Sequence, residues 1–316
     1  MQSPLVSILI PVYNREKFIR ECIESALAQT YTNIEVVVVD NASTDDSWKI
    51  CQQFSAKDPR VRVFRNDTNI GPVRNWMRCA EEAKGKFSKI LFSDDSLEPN
   101  CLSEVVPKLD DAAVALVYCA ARIGETRDAA AVAYYRDDSS KLSPSQFLNL
   151  ILRGEAPVSP GAILIRTSDL QKNLHTEFPT STMRPFEKHG AGPDVMISLL
   201  TAENYSFVAS ISTPLVYFRA HAGSFSIGNS NNQVYKGYRS ALSYYLIKNY
   251  GRQPWLDYVA HGWLQQMKLS HRWINPRAHL MEYEGSGSLG ELIAMISSSL
   301  KLLINKASGK KLSFVK

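Results

Sequence analysis

Two adjacent carboxylates, Asp94 and Asp95, end an apolar run in the segment KILFSDDSLEPN, residues 89–100. Two like charges side by side at a strand end are unfavourable unless a positive group lies next to them. A divalent cation is one such group, and Mg²⁺ or Mn²⁺ is commonly held by one or two carboxylates together with substrate phosphates. The other interpretation is an acidic pair that opens a turn. The pair alone favours neither.

Asp40 is a further carboxylate at a strand end, since it closes the run IEVVVVD, residues 34–40. A carboxylate there can accept a hydrogen bond from an imide N–H, such as N3–H of uracil. It can equally be a turn residue that opens the following DNAST segment. Both interpretations stay open at this point.

The elements that would position these acids alternate along the first hundred residues. Apolar, β-branched runs at 5–13, 34–40, 61–66 and 88–95 are separated by three segments with helical spacing. This order predicts an α/β fold with a doubly wound, mostly parallel sheet flanked by helices. Ligands of such sheets bind at the carboxyl ends of the strands. We therefore expect residues 13–14, Asp40, residues 66–71 and the acidic pair to face one crevice.

The remaining chain is less regular. Strands are predicted near 113–122 and 162–166, a strand pair in FVASISTPLVYFRAH (residues 207–221), and helices beyond it. No GxGxxG motif follows the first strand, which excludes the common dinucleotide-binding fingerprint.

The composition indicates an ordinary globular protein. The chain has 316 residues, a net charge of +5 and no basic block interleaved with aromatic residues, so nucleic acid is not predicted as a partner. Its five cysteines are scattered without a CxxC pair, which favours reduced thiols over a zinc site or disulfides. With no secretory leader pattern and no spanning apolar run, we predict a cytoplasmic protein.

Four motifs occur in order: SILIPVYN, VVVVDNASTDDS, NDTNIGPVRNWMRCAEEAKGKF and ILFSDD. Together they resemble the family 2 glycosyltransferases of GT-A fold, closely over about the first hundred residues and more loosely up to His221. The resemblance implies an inverting transferase that uses a nucleotide-diphosphate sugar, UDP-linked, with Mn²⁺ or Mg²⁺. It also implies which residues contact the nucleotide: Pro11, Val12, Tyr13, Asn14, Asp40, Asn69, Gly71, Arg74 and Asp94.

The resemblance further implies a metal site at Asp95 and His221. Asp94 and Asp95 look like the second half of a DxD-type motif, although Phe92 stands where the family has its first acid. His221 belongs to YFRAHAGSFS, which resembles a late Tyr-x-Arg-x-His-x-x-Ser segment, and Arg219 or His221 would counter diphosphate charge.

A catalytic base is expected at the start of a later helix, where the family often has an acidic pair. Here GPDVMISLL offers Asp194 alone, preceded by Pro193. Asp194 is the predicted base, and the alternative is an aspartate that only caps the helix. Glu187 is a second candidate base.

The resemblance implies a catalytic domain at 1–222, with a nucleotide-binding half at 1–100 and an acceptor-binding half at 101–222.

Residues 223–316 form a helical C-terminal extension. Its tail has apolar residues on one helical face and then Lys301, Lys306, Lys310, Lys311 and Lys316. Such a tail can lie on the cytoplasmic face of an inner membrane, which would suit a lipid-linked saccharide or other glycan acceptor of bacterial surface polysaccharide. It can equally pack on the core or on another subunit.

Two other functions compete with this prediction. A sugar nucleotidyltransferase would also gather carboxylates and a metal at the sheet edge, but IPVYNREKF is not the Gly-rich basic loop that it normally carries after its first strand. A nucleotide-sugar-binding module without catalysis is suggested by Phe92 and by the missing acid beside Asp194.

Overall fold

A computed structural model describes residues 3–137, 140–180, 186–224, 231–310 and 312–315. Its strands are β1 (Val6–Val12), β2 (Ile34–Asp40), β3 (Val61–Arg65), β4 (Phe87–Ile90), β5 (Ser96–Leu97), β6 (Val114–Gly124), β7 (Ala131–Ala133), β8 (Lys141–Leu142), β9 (Ile163–Arg166) and β10 (Phe207–Arg219). Its helices are α1 (Ile19–Leu27), α2 (Ser47–Lys57), α3 (Pro72–Glu82), α4 (Cys101–Leu109), α5 (Pro144–Arg153), α6 (Thr167–Asn173), α7 (Phe186–His189), α8 (Pro193–Ala202), α9 (Asn231–Tyr250), α10 (Arg252–Ser270), α11 (Pro276–Glu282) and α12 (Leu289–Ala307).

The strands form one mixed sheet in the order β3-β2-β1-β4-β9-β6-β10-β5, with β7 paired to β6 and β8 to β10. β1 to β4 pair in parallel, and β6 and β10 pair in parallel with each other. Because β9 lies antiparallel to both β4 and β6, these six strands all run in one direction. The predicted α/β sheet flanked by helices is confirmed.

Helices cover both faces of the sheet, and this explains the unbroken apolar runs of β1 and β2. All seven residues of each strand are buried. Side chains alternate between the faces: Ile8 and Ile10 enter the core that includes α1 residues, whereas Leu9 enters the core that includes Trp76 of α3. The second core also contains Trp255 of α10, so the C-terminal helices pack against the same interior as the sheet.

The predicted strand pair at residues 207–221 was wrong, because β10 is one strand of 13 residues. Its register against β6 shifts on both sides of Pro214. A proline cannot donate to the ladder, and the irregular register accommodates it without ending the strand.

Each of the five cysteines is buried and carries a free thiol, as the sequence predicts. Among the helices described, none is both long enough and apolar enough to cross a bilayer.

Replacement of Gly85 by alanine tests the close packing at the amino end of β1. A Cβ at Gly85 would lie 2.7 Å from the backbone nitrogen of Ser7 and 2.8 Å from the carbonyl oxygen of Leu5. The backbone must shift, so we expect Gly85→Ala to lower the free energy of unfolding by about 1–3 kcal/mol in urea titrations. Gly290→Ala is the control, because nothing lies within 4 Å of its new Cβ. Equal stability of the two variants would contradict this account.

Candidate active site at the carboxyl edge of the sheet

The acidic pair follows β4 at the edge where β1, β2 and β10 also end. Two basic groups from distant parts of the chain meet Asp94 there. Its Oδ2 lies 3.3 Å from Nε of Arg15, in the loop after β1, and 3.1 Å from Nε2 of His221, just after β10. Nε of Arg219 donates to the backbone carbonyl of Asp94 over 3.2 Å. Arg15 and Arg219 thus bring positive charge next to Asp94, and His221 adds a hydrogen bond.

Asp95 lies deeper than Asp94 and is 8% exposed. Its Oδ1 accepts the backbone N–H of Arg219 over 3.0 Å, which joins the acidic pair directly to the end of β10. Burial, and then the charge of Asp94, raise the pKa of Asp95 well above its usual value. The Arg219 N–H and the buried Lys89 partly oppose that rise in pKa. An ionised Asp95 is therefore under electrostatic stress when no further cation is bound.

Asp40 is fully buried at the end of β2. Its Oδ2 accepts the backbone N–H of Ser43 over 3.1 Å and lies 3.2 Å from Nε of Arg65. Its Oδ1 is buried and has no hydrogen-bond partner among the described residues. A buried acceptor without a donor costs about 1–3 kcal/mol, so this oxygen is a position where a ligand N–H would be stabilising.

The loop after β1 connects the two acidic positions. The backbone N–H of Asn14 donates to Oγ of Ser43, and Oδ1 of Asn14 accepts from the backbone N–H of Thr44. Asn14 has a φ of 51°, a left-handed conformation that asparagine tolerates better than most residues. The next residue, Arg15, reaches Asp94. A chain of direct contacts thus runs from Asp40 through this loop to the acidic pair.

The other predicted nucleotide contacts differ in accessibility. Pro11 and Val12 are buried within β1, whereas Tyr13 is 43% exposed at the edge. Arg74 lies exposed on the first turn of α3. Gly71 precedes that helix with a φ of 84°, which favours glycine.

Asparagine side chains fix the loop at residues 66–71 to the end of β2. Nδ2 of Asn41 donates to Oδ1 of Asn69 over 2.9 Å, and Oδ1 of Asn41 accepts from Asn66 and from the backbone N–H of Ile70. Nδ2 of Asn66 also donates to Asn75 on α3, whose own amide donates to the carbonyl of Val39. The network holds Asn69 beside the Asp40 segment.

Asp194 lies in the first turn of α8 and is 6% exposed. Its Oδ1 accepts the backbone N–H groups of Gly192 and Val195, and its Oδ2 accepts the hydroxyl of Tyr238, on α9, over 2.6 Å. Burial raises the pKa of Asp194 to about 7, although these hydrogen bonds lower it. A carboxyl with that pKa is suited to proton transfer near neutral pH.

Aromatic packing connects the Asp194 segment with the acidic pair. The backbone of Gly190 lies against the ring of Trp76, since a Cβ there would clash with the ring. The ring of Trp76 in turn packs 5.4 Å from that of Phe92, measured between centroids. Phe92 is partly buried and packs against the core that includes Trp76. Glu187 lies in α7, but its side chain is outside the described part of the structure.

Three residues at this site were missed by the sequence reasoning. Arg15 pairs with Asp94, Arg65 with Asp40, and Tyr238 with Asp194. The first directly follows the predicted contact Asn14, so a search for cations beside the acids would have found it. The sequence contains no comparable signal for Tyr238, which is 44 residues from its partner.

The donors near the acidic pair fit a divalent cation as a partial ligand set. Asp94, Asp95 and His221 lie together, yet in the described ranges no three His, Cys, Asp or Glu side chains are arranged to hold a metal ion by themselves. Mg²⁺ typically retains waters and takes substrate phosphates besides one or two carboxylates. A cation at this edge would therefore need water and substrate oxygens as ligands besides these side chains.

Residues 7–174 match the sequence model described as Glycosyl transferase family 2, which is more than half of the chain. The chain belongs to glycosyl transferase family 2. Among curated relatives, the glycosyltransferase GlyG of Streptococcus pneumoniae is 37% identical over 109 residues, which are 34% of this chain and 36% of GlyG. EpsH of Bacillus subtilis is 29% identical over 233 residues, 71% of this chain and 63% of EpsH. The chain thus spans less than two thirds of either relative.

Among solved structures, residues 1–349 of TarS from S. aureus in complex with UDP-GlcNAc align with a TM-score of 0.59. The alignment covers 96% of this chain and 92% of that one at 18% identity. At this identity the similarity shows a shared fold, the GT-A type of these glycosyltransferases.

Asp95→Asn tests the electrostatic stress at the acidic pair. The amide keeps the shape of the side chain and still accepts the Arg219 N–H, but it carries no charge. Because the folded-state pKa of Asp95 is raised, its ionised form lowers stability above the usual aspartate pKa. We expect Asp95→Asn to raise the free energy of unfolding by about 1 kcal/mol or more at slightly alkaline pH, in urea titrations with a chelator present.

This gain should shrink in mildly acidic buffer, where the wild-type carboxyl binds a proton and becomes neutral too. Asp67→Asn, in an exposed loop, is the control and should change stability by less than about 0.5 kcal/mol. A loss of stability in Asp95→Asn at slightly alkaline pH would show that the charge is already fully compensated.

Proposed function

We propose that this protein is an inverting glycosyltransferase that moves a sugar from a UDP-linked donor to an acceptor hydroxyl. The observation that carries the proposal is Asp40, a buried carboxylate at the ligand-binding edge with one oxygen that lacks a donor. N3–H of a bound uracil would supply that donor. The ring would lie near Tyr13 and the loop held by Asn41 and Asn69, and side chains above Asp40 would have to move to admit it.

The acidic pair and its cationic neighbours would receive the diphosphate. Arg15 already lies beside Asp94, and Arg219 contacts its backbone, so two guanidinium groups border the place where the leaving group would gain charge. Asp95 and His221 would hold Mn²⁺ or Mg²⁺, which acts as a Lewis acid toward a departing diphosphate when bound. Asp94 would keep Arg15 oriented toward the phosphates.

Asp194 would act as the general base. Oδ2 accepts one hydrogen bond, from Tyr238, and retains a second lone pair for the proton of the acceptor hydroxyl. The acceptor oxygen then attacks the anomeric carbon on the face opposite the diphosphate, and the carbon–diphosphate bond breaks. A single displacement of this kind inverts the anomeric configuration and needs no nucleophilic side chain.

The acceptor that we propose is a glycan or lipid-linked saccharide of bacterial surface polysaccharide, and a lipid-linked acceptor would bring the protein to the cytoplasmic face of the inner membrane. Residues 1–100 would bind the nucleotide and residues 101–222 the acceptor. Residues 223–316 contribute Tyr238 to the base, which supports a role for the helical extension in the same reaction.

Nucleotide selectivity tests the role of Asp40. Cytosine has no N3–H, so CDP cannot donate this hydrogen bond to Asp40. In calorimetric titrations we therefore expect UDP to bind about tenfold to hundredfold more tightly than CDP, which is the affinity difference that a hydrogen bond to a charged group typically provides. Asp40→Asn should lose most of that preference, because its amide can donate to N3 of cytosine. Asp58→Asn is the matched control, since Asp58 also pairs with an arginine, Arg60, at the opposite edge of the sheet. Equal binding of UDP and CDP by the wild type would refute the role.

Asp194→Asn tests the proposed base. The variant keeps the shape of the side chain but cannot take a proton, so we expect kcat to fall about 10²–10⁴-fold while UDP binding changes little. In the wild type, kcat/KM should rise with pH through about 7, where Asp194 loses its proton. Tyr238→Phe should move this rise to higher pH, because its hydroxyl lowers the pKa of Asp194.

Tyr235→Phe, exposed on the same helix, is the control for Tyr238→Phe and should leave the pH profile unchanged. Transfer at wild-type rate by Asp194→Asn would remove Asp194 from the base role. A UDP-binding protein that releases no UDP from any UDP-sugar would instead be a binding module.

A further inference from the structure

Helix α12 presents its apolar face to solvent. The buried residues of this helix are Glu291, Met295, Ser298 and Ser299. Six large apolar side chains at helical spacing are 42–73% exposed: Leu289, Ile293, Ile296, Leu300, Leu303 and Ile304. A helix that only covers a core has the opposite arrangement. We call these six residues the α12 apolar face.

Polar contacts hold the helix in this orientation. The buried carboxylate of Glu291 pairs with Arg252 at the start of α10. It also accepts hydrogen bonds from Oγ of Ser286 over 2.8 Å and from the backbone N–H of Gly287 over 3.0 Å. Oγ of Ser298 accepts from Nε2 of Gln253 over 3.2 Å. Rotation of α12 to bury its apolar face would break these contacts, so exposure of the face belongs to the folded state.

The charges near the α12 apolar face are positive. Lys301 and Lys306 are exposed on α12, and Lys310 follows it. Glu291 is the sole acidic residue within 289–307, and it points into the protein. The surface therefore combines aliphatic side chains with ammonium groups, the combination that suits an interface between acyl chains and anionic headgroups. A second copy in parallel pairing would instead bring like charges together. Lys311 and Lys316 lie outside the described residues.

We propose that the α12 apolar face docks on the surface of an anionic lipid bilayer, with the helix lying in the plane of the interface. The six apolar side chains enter the headgroup–acyl boundary, and Lys301, Lys306 and Lys310 pair with lipid phosphates. The exposed residues run from 289 to 304, about 23 Å of helix at the standard rise. This proposal is independent of the sugar-transfer proposal, because it requires no donor, acceptor or turnover.

Vesicle co-sedimentation tests the proposal directly. We expect the protein to bind vesicles of phosphatidylcholine mixed with phosphatidylglycerol at least about tenfold more tightly than vesicles of phosphatidylcholine alone. The double variant Ile293→Ser/Leu300→Ser should lose binding to both, since both side chains are more than half exposed and neither supports the core. Lys301→Glu/Lys306→Glu should lose the preference for the anionic vesicles.

The matched control is Val132→Ser/Tyr135→Ser, which removes two exposed apolar side chains on and beside β7 and should bind vesicles as the wild type does. Urea unfolding of each variant confirms that it is folded. Failure of the wild type to bind the mixed vesicles, or full binding by Ile293→Ser/Leu300→Ser, overturns the proposal. A wild-type dimer in sedimentation velocity that Ile293→Ser/Leu300→Ser dissociates, without vesicle binding, overturns it in favour of a contact between copies.

Discussion

The site depends on the need to compensate two adjacent carboxylates, one of which is buried. Asp95 is desolvated and its pKa is raised by burial and by Asp94, so the pair needs cations and N–H donors from elsewhere in the chain. These come from the loop after β1, through Arg15, and from the end of β10, through His221 and the backbone of Arg219. The compensation of the acidic pair thereby brings together segments that lie more than 200 residues apart in the chain. Arg15 also donates a hydrogen bond to the carbonyl of Gly223, which is equally distant in sequence.

Much of the fold and of this edge could be predicted from sequence because the information is local. β1 and β2 are continuous apolar runs, as expected for strands buried on both faces, and strand direction then fixes which residues share an edge. A proline is rare inside a strand, but a shift of register on each side of Pro214 lets β10 continue as one strand. Ion pairs such as that between Arg65 and Asp40 were not predicted. They depend on the direction of side chains at the strand ends, and the spacing of apolar residues in the sequence carries no information about that direction.

Asp194 combines hydrogen bonds at the start of a helix with a pKa near neutrality. Its Oδ1 accepts the backbone N–H groups of Val195 and of Gly192, which is the N-cap of α8, while Oδ2 accepts a hydroxyl from α9. The burial that keeps water away from these hydrogen bonds also raises the pKa of Asp194 to about 7. The C-terminal helices therefore contribute to the electrostatics of the proposed base. They also share a hydrophobic core with the sheet.

The orientation of α12 is fixed by polar contacts on one face and leaves apolar burial on the other face unrealised. Each exposed aliphatic side chain forgoes roughly 1.5–3 kcal/mol of burial, so the six together forgo more than the roughly 3–5 kcal/mol that a buried carboxylate loses with its partner. Glu291 is held by Arg252, Ser286 and the turn before the helix, and any rotation that buried the apolar residues would have to break that set. Among the described residues, none buries the apolar face of α12. Contact with an anionic lipid surface would bury it without disturbing the contacts of Glu291.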